Sequence, residues 1–500
     1  MISDLKIEAN DIELTQYFDL LNEPDRGLFP TLMNETATFS HRSGNRVINS
    51  RFGSREIALD FYAYSDNARE LKDVLAKILY MNTVRLWFSD EPDRYFNARL
   101  DEESSMRRDE KSRSEYTGTL RFIVEDGVAH SVNTKKFVFT NGETSVDNNG
   151  TYPAPLDIHV TFTSDANSIG FVSDKAIVQL GTAYSEDDDN FIPSSKIVSD
   201  PMNSSQKNSW SENIARPRWR NDDSENASKV MGTLDWNDAR DGVYVKSWGT
   251  IDPSKPGFWH GPSVTRFFND PLDNLETIHR FNFKPVNGKY GKKGAQGLVE
   301  INYPDADSNF VFGFEMKDNT DKKEEITYKF FVGTTTVYSG KLPNSIATNA
   351  GGFFGSIAMS KVGNKFVFKL ARLQGSPLKE TWSVSKTFYN ETVAMLSPAR
   401  VDIWMSQWKN FTTMDLGITD VRVVKINTED DTLVPLTFYK GDELFVDSES
   451  NRVYINGIRN DNYRVVGSSQ FLEAPLDWSS YSVLSDGTYT GYLEMRERYL

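Results

Sequence analysis

From Val401 to Trp408 the chain reads V-D-I-W-M-S-Q-W. A strand period of two sends Val401, Ile403 and Met405 to one face and Asp402, Trp404, Ser406 and Trp408 to the other. The first set is a core face. The second holds two indoles four residues apart with a carboxylate and a hydroxyl between them, the groups that suit a pyranose ring and its hydroxyls. A strand buried on both sides would read the same way.

Elsewhere the same period recurs. Ile57, Leu59, Phe61 and Ala63 alternate with Glu56, Ala58, Asp60 and Tyr62, which predicts a half-buried strand. Asn67 to Asn82 has helical spacing, with Leu71, Val74, Leu75, Ile78 and Leu79 on one side. Strands V-R-L-W-F from Val84 and R-Y-F-N-A-R-L from Arg94 follow, so residues 1–140 read as an α+β unit. Leu156, Ile158, Val160 and Phe162 open a second unit after the breaks at Pro153 and Pro155. Thr182 to Pro217 is rich in Ser, Asn and Asp without a period and is predicted to be a linker. After a second acidic stretch, Glu429 to Asp431, compact strand and hairpin patterns return.

The segment between these stretches, residues 186–431, is therefore expected to be an insertion that folds by itself, set into a host domain made of residues 141–185 plus 432–500. Inside it, strand-like runs start at Asn309, Ile326, Phe353, Lys365, Arg400 and Asp420 with turn signals between them. That pattern predicts a jelly-roll β-sandwich and a mainly β chain overall.

Composition supports this and narrows the function. Aromatics make up 13% of the 500 residues, and eight of the ten Trp (Trp210, Trp219, Trp236, Trp248, Trp259, Trp382, Trp404 and Trp408) fall in the insertion. Such enrichment with few catalytic side chains favours a carbohydrate reader. A net charge of -15 argues against sequence-specific nucleic-acid binding, which needs clustered positive charge. With no Cys there are neither disulfides nor thiolate metal sites. The N-terminal residues lack the basic and apolar regions of a signal peptide, and no long apolar run follows, so the expectation is a soluble cytosolic product with no membrane insertion.

The chemistry of an enzyme is harder to find. None of His41, His130, His159, His260 and His279 lies in a metal-binding pattern, and the glycine-rich loop from Gly288 to Gly294 does not end in Lys-Ser/Thr. Glycoside cleavage needs two carboxylates about 5 to 10 Å apart. Glu300, Asp305, Asp307, Glu315 and Asp402 are the candidates, but no two sit on one strand face in an E-x-D-x-E arrangement. The acidic runs Glu186 to Asp189 and Glu429 to Asp431 lack the ligand spacing of a known calcium loop, so no cofactor is assigned and calcium is kept only as an alternative.

The flanks carry a family resemblance. R-F-G-S-R-E-I-A-L-D-F from Arg51, the helix from Asn67, L-W-F-S-D-E-P-D-R-Y-F from Leu86 and N-G-T-Y-P-A-P-L-D-I from Asn149 resemble the siphophage distal tail protein. So do G-D-E-L-F-V-D-S-E-S-N-R-V-Y-I-N-G from Gly441, S-S-Q-F-L-E-A-P-L-D-W from Ser468 and the closing Y-L-E-M-R-E-R-Y-L. The resemblance implies a homohexameric ring at the distal end of the virion tail, between the tail tube protein and the tail-tip, tail-associated and receptor-binding proteins. It further implies an N-terminal belt domain, a galectin-like host sandwich and, in the long members, an inserted carbohydrate-binding module.

The resulting expectation is a structural, non-enzymatic tail-tip protein whose insert binds host cell-wall saccharide through Asp402, Trp404, Ser406 and Trp408. The alternative is an insert that depolymerises the wall polysaccharide.

Overall fold

A computed structural model describes residues 4–38, 41, 43–80, 83–110, 112, 114–181, 194–218, 229–251, 258–285, 296–320, 325–347, 352–409, 414–427 and 438–500. Trp219, the loop from Gly288 to Gly294 and both acidic runs lie outside the described residues.

The N-terminal sheet is built on strands Arg55–Tyr64, Val84–Phe88, Arg94–Leu100 and Glu115–Ser131. Its alternation works as expected: Ile57, Leu59 and Phe61 are fully buried while Glu56 faces water. The helix runs Ser65–Tyr80 and buries Leu71, Val74 and Ile78 against that sheet. Asp66 in its first turn and Lys77 in its last suit the helix dipole. A separate hairpin, Leu32–Thr38 with Asn45–Phe52, pairs with no other strand among the described residues. It leaves Leu32, Met33, Val47 and Ile48 exposed. The last strand of the chain, Arg498–Tyr499, returns to pair with Ala129 and His130 of this first sheet.

The host sandwich is assembled from both sides of the insert. Ala154–Phe162 pairs with Glu443–Asp447 on one edge and Tyr489–Met495 on the other. The facing sheet holds Glu143–Asn148, Asp477–Ser485, Ser168–Val172 and Ile177–Gly181. Ile158, Phe171, Val446 and Leu493 meet in its core.

The insert is a two-sheet β-sandwich with one core. Its back sheet runs Thr233–Asn237, Gly242–Ser247, Met414–Ile426, Leu275–Pro285, Phe353–Val362, Lys365–Gln374, Lys379–Tyr389. Its front sheet runs Ser211–Glu212, Ser263–Phe267, Arg400–Trp408, Gly297–Pro304, Phe310–Asp318, Thr327–Val332, Thr335–Lys341. Phe281, Phe283, Phe314, Phe330 and Phe368 fill the space between, with Phe330 and Phe368 stacked at 4.9 Å. Part of the predicted linker belongs to this body: Ser194–Asp200 pairs with Met414–Ile426, and Val198, Met202 and Trp210 enter the core. Three scattered apolar anchors in a polar segment give no period, which is why the sequence pattern hides them.

The two sandwiches are clamped together. Arg422 on the back sheet forms a buried ion pair with Asp442 of the host, Lys379 reaches Asp447 at 2.7 Å, and Arg280 donates to the Asn456 carbonyl at 2.6 Å. The host hairpin turns at Asn456-Gly457 with φ of 54° and 79°. Glycine is needed there twice over, since a Cβ on Gly457 would lie 2.9 Å from Cβ of Leu378 in the insert. At the entry to the insert, the Ser194 and Tyr439 hydroxyls are 2.8 Å apart, so the two connections meet.

Candidate functional site

Strand Arg400–Trp408 lies in the middle of the front sheet, opposite Ser263–Phe267 and Gly297–Pro304. Val401, Ile403 and Met405 are fully buried in the sandwich core, as alternation predicts. The outward set is also enclosed. Asp402 is 2% exposed, Trp404 1% and Ser406 0%, while Trp408 is half-buried. The open sugar platform expected of these residues is therefore not what Asp402, Trp404 and Ser406 form; they are interior residues, and only Trp408 reaches partly to the surface.

The cover is a strap, residues 213–218, laid across the sheet and held by polar groups. Ala215 N donates to Ser263 Oγ at 3.3 Å, Arg216 N to Asp402 Oδ2 at 3.3 Å, and Arg218 N to Glu300 Oε1 at 2.5 Å. The Arg218 side chain then donates to Asn302 Oδ1 at 2.5 Å and to the Gly333 carbonyl at 2.6 Å. Its guanidinium sits over Phe310 at 4.2 Å and Phe331 at 4.6 Å. Asp402 also accepts from Thr265 Oγ1 at 2.7 Å, and the Trp404 indole donates to the Gly261 carbonyl at 2.9 Å. Trp259, Leu298, Trp404 and the edge of Trp408 make a small second core on this side, with Trp259 and Trp408 edge to face at 5.6 Å.

Register brings together carboxylates that sequence spacing keeps apart. Glu300 is directly opposite Glu315 on the next strand, and Asn302 is opposite Asp402 on the other side. Glu300 and Glu315 are 0% and 1% exposed. Burial pushes the Glu300 carboxyl up to about 7, against the pull of Arg218 and Asn302, and burial raises Asp402 as well. Glu315 is 3.5 Å from Lys317 and 3.7 Å from Lys329. The remaining glycosidase candidates stand elsewhere: Asp305 closes a turn by accepting from Asn309 N at 2.7 Å, and Asp307 is exposed. Under the strap, this carboxylate layer acts as a buried polar network, closed to an external substrate.

Arg218 is the residue that sequence reasoning missed. It lies in P-R-W-R, with no period to place it, and its partners are far along the chain. Of the histidines, His260 spans the Trp248 and Lys409 carbonyls at 2.9 and 3.0 Å, and His279 meets the Tyr303 hydroxyl at 2.8 Å. Among the described residues, no group of three or more His, Asp or Glu is placed to hold a metal ion, and no helix is long and apolar enough to cross a membrane.

Residues 7–124 match the family model of the phage tail protein RIFT-related domain. No curated protein sequence matches the chain. Among solved structures, the chain is similar to the CBM2 module of the evolved Dit of Lactobacillus casei BL23 phage J-1, at 14% identity over 47% of this chain and 97% of that one, with a TM-score of 0.37. It is also similar to the Dit protein of phage SPP1, at 18% identity over 36% of this chain and 76% of that one, TM-score 0.31. A third likeness is to lectin I-B4 of Griffonia simplicifolia, at 13% identity over 47% and 99%, TM-score 0.30. Residues 7–124 thus carry a phage tail protein RIFT-related domain, in the same flank whose segments resemble the siphophage distal tail protein.

Proposed function

We propose that the chain is a distal tail protein that forms a ring between the tail tube and the tail-tip proteins, and that its insert binds host cell-wall saccharide during adsorption. The observation that carries this reading is the splice itself: a complete second sandwich, with its own core, is set into and clamped on the host sandwich of a phage tail protein. A ring needs no such module, so the insert adds a task. Binding suits it better than catalysis, because the aligned pair Glu300 and Glu315 is sealed beneath the strap. The unpaired hairpin, with Val47 52% and Ile48 67% exposed, supplies apolar surface for a neighbouring copy. Six copies on one ring would multiply a weak saccharide contact through avidity.

The test is retention of the purified full chain on host cells and on their extracted wall polysaccharide. Saturable retention on both is expected, and no retention on either would sink the reading. New reducing ends after incubation would assign the insert to depolymerisation instead.

A further inference from the structure

Between the two sandwiches lies an open cleft of about 850 Å³, within the range of small-molecule sites. One wall is the outer face of the insert's back sheet, with Tyr244, Asn282, Phe354 and Thr419; the other is the outer face of the host sheet, with Thr161 and Tyr492. The clamp described above, through Arg280 and the close approach of Gly457 to Leu378, fixes the two walls relative to each other.

Two polar atoms on the insert wall have no hydrogen-bond partner: Oδ1 of Asn282, a residue only 7% exposed, and Oγ1 of Thr419. The Asn282 amide nitrogen is already used, donating to the Tyr244 hydroxyl at 2.6 Å. Unsatisfied buried acceptors and hydroxyls are costly, and they are satisfied when a ligand brings donors. On the host wall the Tyr492 ring is stacked on His159 at 4.5 Å, so its orientation is held. The cations of the cleft are largely committed: Arg240 pairs with Asp415 at 2.5 Å and covers the Tyr244 ring at 3.4 Å, and Arg280 is engaged by the host backbone. Asp241, Glu443 and Lys284 are of both signs and favour no anion. Half-buried rings, a free amide oxygen and hydroxyls without net charge are the recognition chemistry of an uncharged polyol ring.

From this the geometry points to the inter-sandwich cleft as a binding site for an uncharged, hexose-containing oligosaccharide, held by Asn282, Phe354 and Thr419 of the insert and Tyr492 of the host. The inference rests on the saccharide-binding reading above and locates its contact at a place shared by both sandwiches. A bound oligosaccharide would bridge the modules, so the host sandwich is part of the receptor and the insert is not a self-sufficient one.

The test uses the full chain on an array of defined neutral di- to tetrasaccharides of glucose, galactose, rhamnose and N-acetylglucosamine. Wild type binds at least one of them. Phe354→Ala and Thr419→Val each weaken that binding by about fivefold to tenfold, the effect of one lost contact or hydrogen bond. Tyr389→Ala, at an exposed site outside the cleft, leaves it unchanged. Thr419→Val removes a hydroxyl without a partner inside the protein, so its melting temperature should stay level or rise while affinity falls, a split that a purely structural role would not give. Undiminished binding by both cleft variants overturns the cleft and leaves the saccharide reading standing. Retention on host cells with no neutral glycan bound overturns the ligand class assigned here. Absence of both glycan binding and cell retention removes the saccharide reading and this inference with it.

Discussion

Replacing Glu300 by Gln should make the insert more stable at pH 8, with the gain shrinking towards pH 5. Glu300 is fully buried; its Oε1 accepts from Arg218 N and Asn302 Nδ2, and its Oε2 has no partner. A glutamine carbonyl can keep both accepted bonds, and its amide takes the place of the unpartnered oxygen. The folded carboxyl titrates at about 7, raised from 4.5 chiefly by burial. For an acid raised on folding, the sign is a loss of stability as pH rises: the unfolded chain ionises first, near 4.5, while the folded one holds its proton until about 7. A rise from 4.5 to about 7 corresponds to about 3 kcal/mol, absent well below pH 4.5 and fully developed above about pH 7. Wild type and variant should therefore differ by on the order of 2 to 3 kcal/mol more at pH 8 than at pH 5. The assay is urea unfolding followed by Trp fluorescence, which is weighted towards the insert because eight of the ten Trp lie there. A wild-type to variant gap that is flat across this range, or that widens towards pH 5, would refute the reasoning.

Asp442→Ala removes the partner of a buried guanidinium, with Arg422 and Asp442 side chains 9% and 2% exposed. A cost of about 3 to 5 kcal/mol follows, and it should appear as faster proteolytic release of the insert and a larger radius of gyration in solution scattering. Trp404→Ala should lower stability by about 3 to 5 kcal/mol, because it empties a 1% exposed site and strands the Gly261 carbonyl. Thermal melts will show this, whereas a variant of native stability would mean that the indole is not packed as described. Ile48→Asp, on the exposed hairpin, should leave the melting temperature within the small range of surface changes but reduce the assembled mass seen by light scattering if the hairpin joins neighbouring copies.

The strand Arg400–Trp408 shows both what the sequence makes legible and where it stops. Alternation identified its core face, since Val401, Ile403 and Met405 are all fully buried, and similar local periods identified the helix Ser65–Tyr80 and the two-sheet character of the insert. A period records which side chains share a face; it carries no information on what covers that face. The cover comes from residues 213–218, whose hold on the sheet is made mostly by backbone N–H groups meeting Ser263, Asp402 and Glu300, and backbone donors leave no mark in a pattern of side chains. The pairing of Glu300 with Glu315 is equally invisible, because it depends on the register between two strands and on neither strand alone. An outward row of indole, carboxylate and hydroxyl is thus compatible with a wet sugar platform and with a dry polar layer. What separates the two is whether the row is open to solvent and whether its polar atoms already have partners; Asp402, Trp404 and Ser406 are all enclosed. Asp402 and the Trp404 indole have partners, by way of Thr265, Arg216 and Gly261. Asn282 Oδ1 and Thr419 Oγ1, across the sandwich on the other sheet, do not. Ser406 Oγ and Glu300 Oε2 on the front sheet lack partners too, but both residues are fully buried, whereas Asn282 and Thr419 line an open cleft, which is why the proposed contact is set on the back sheet.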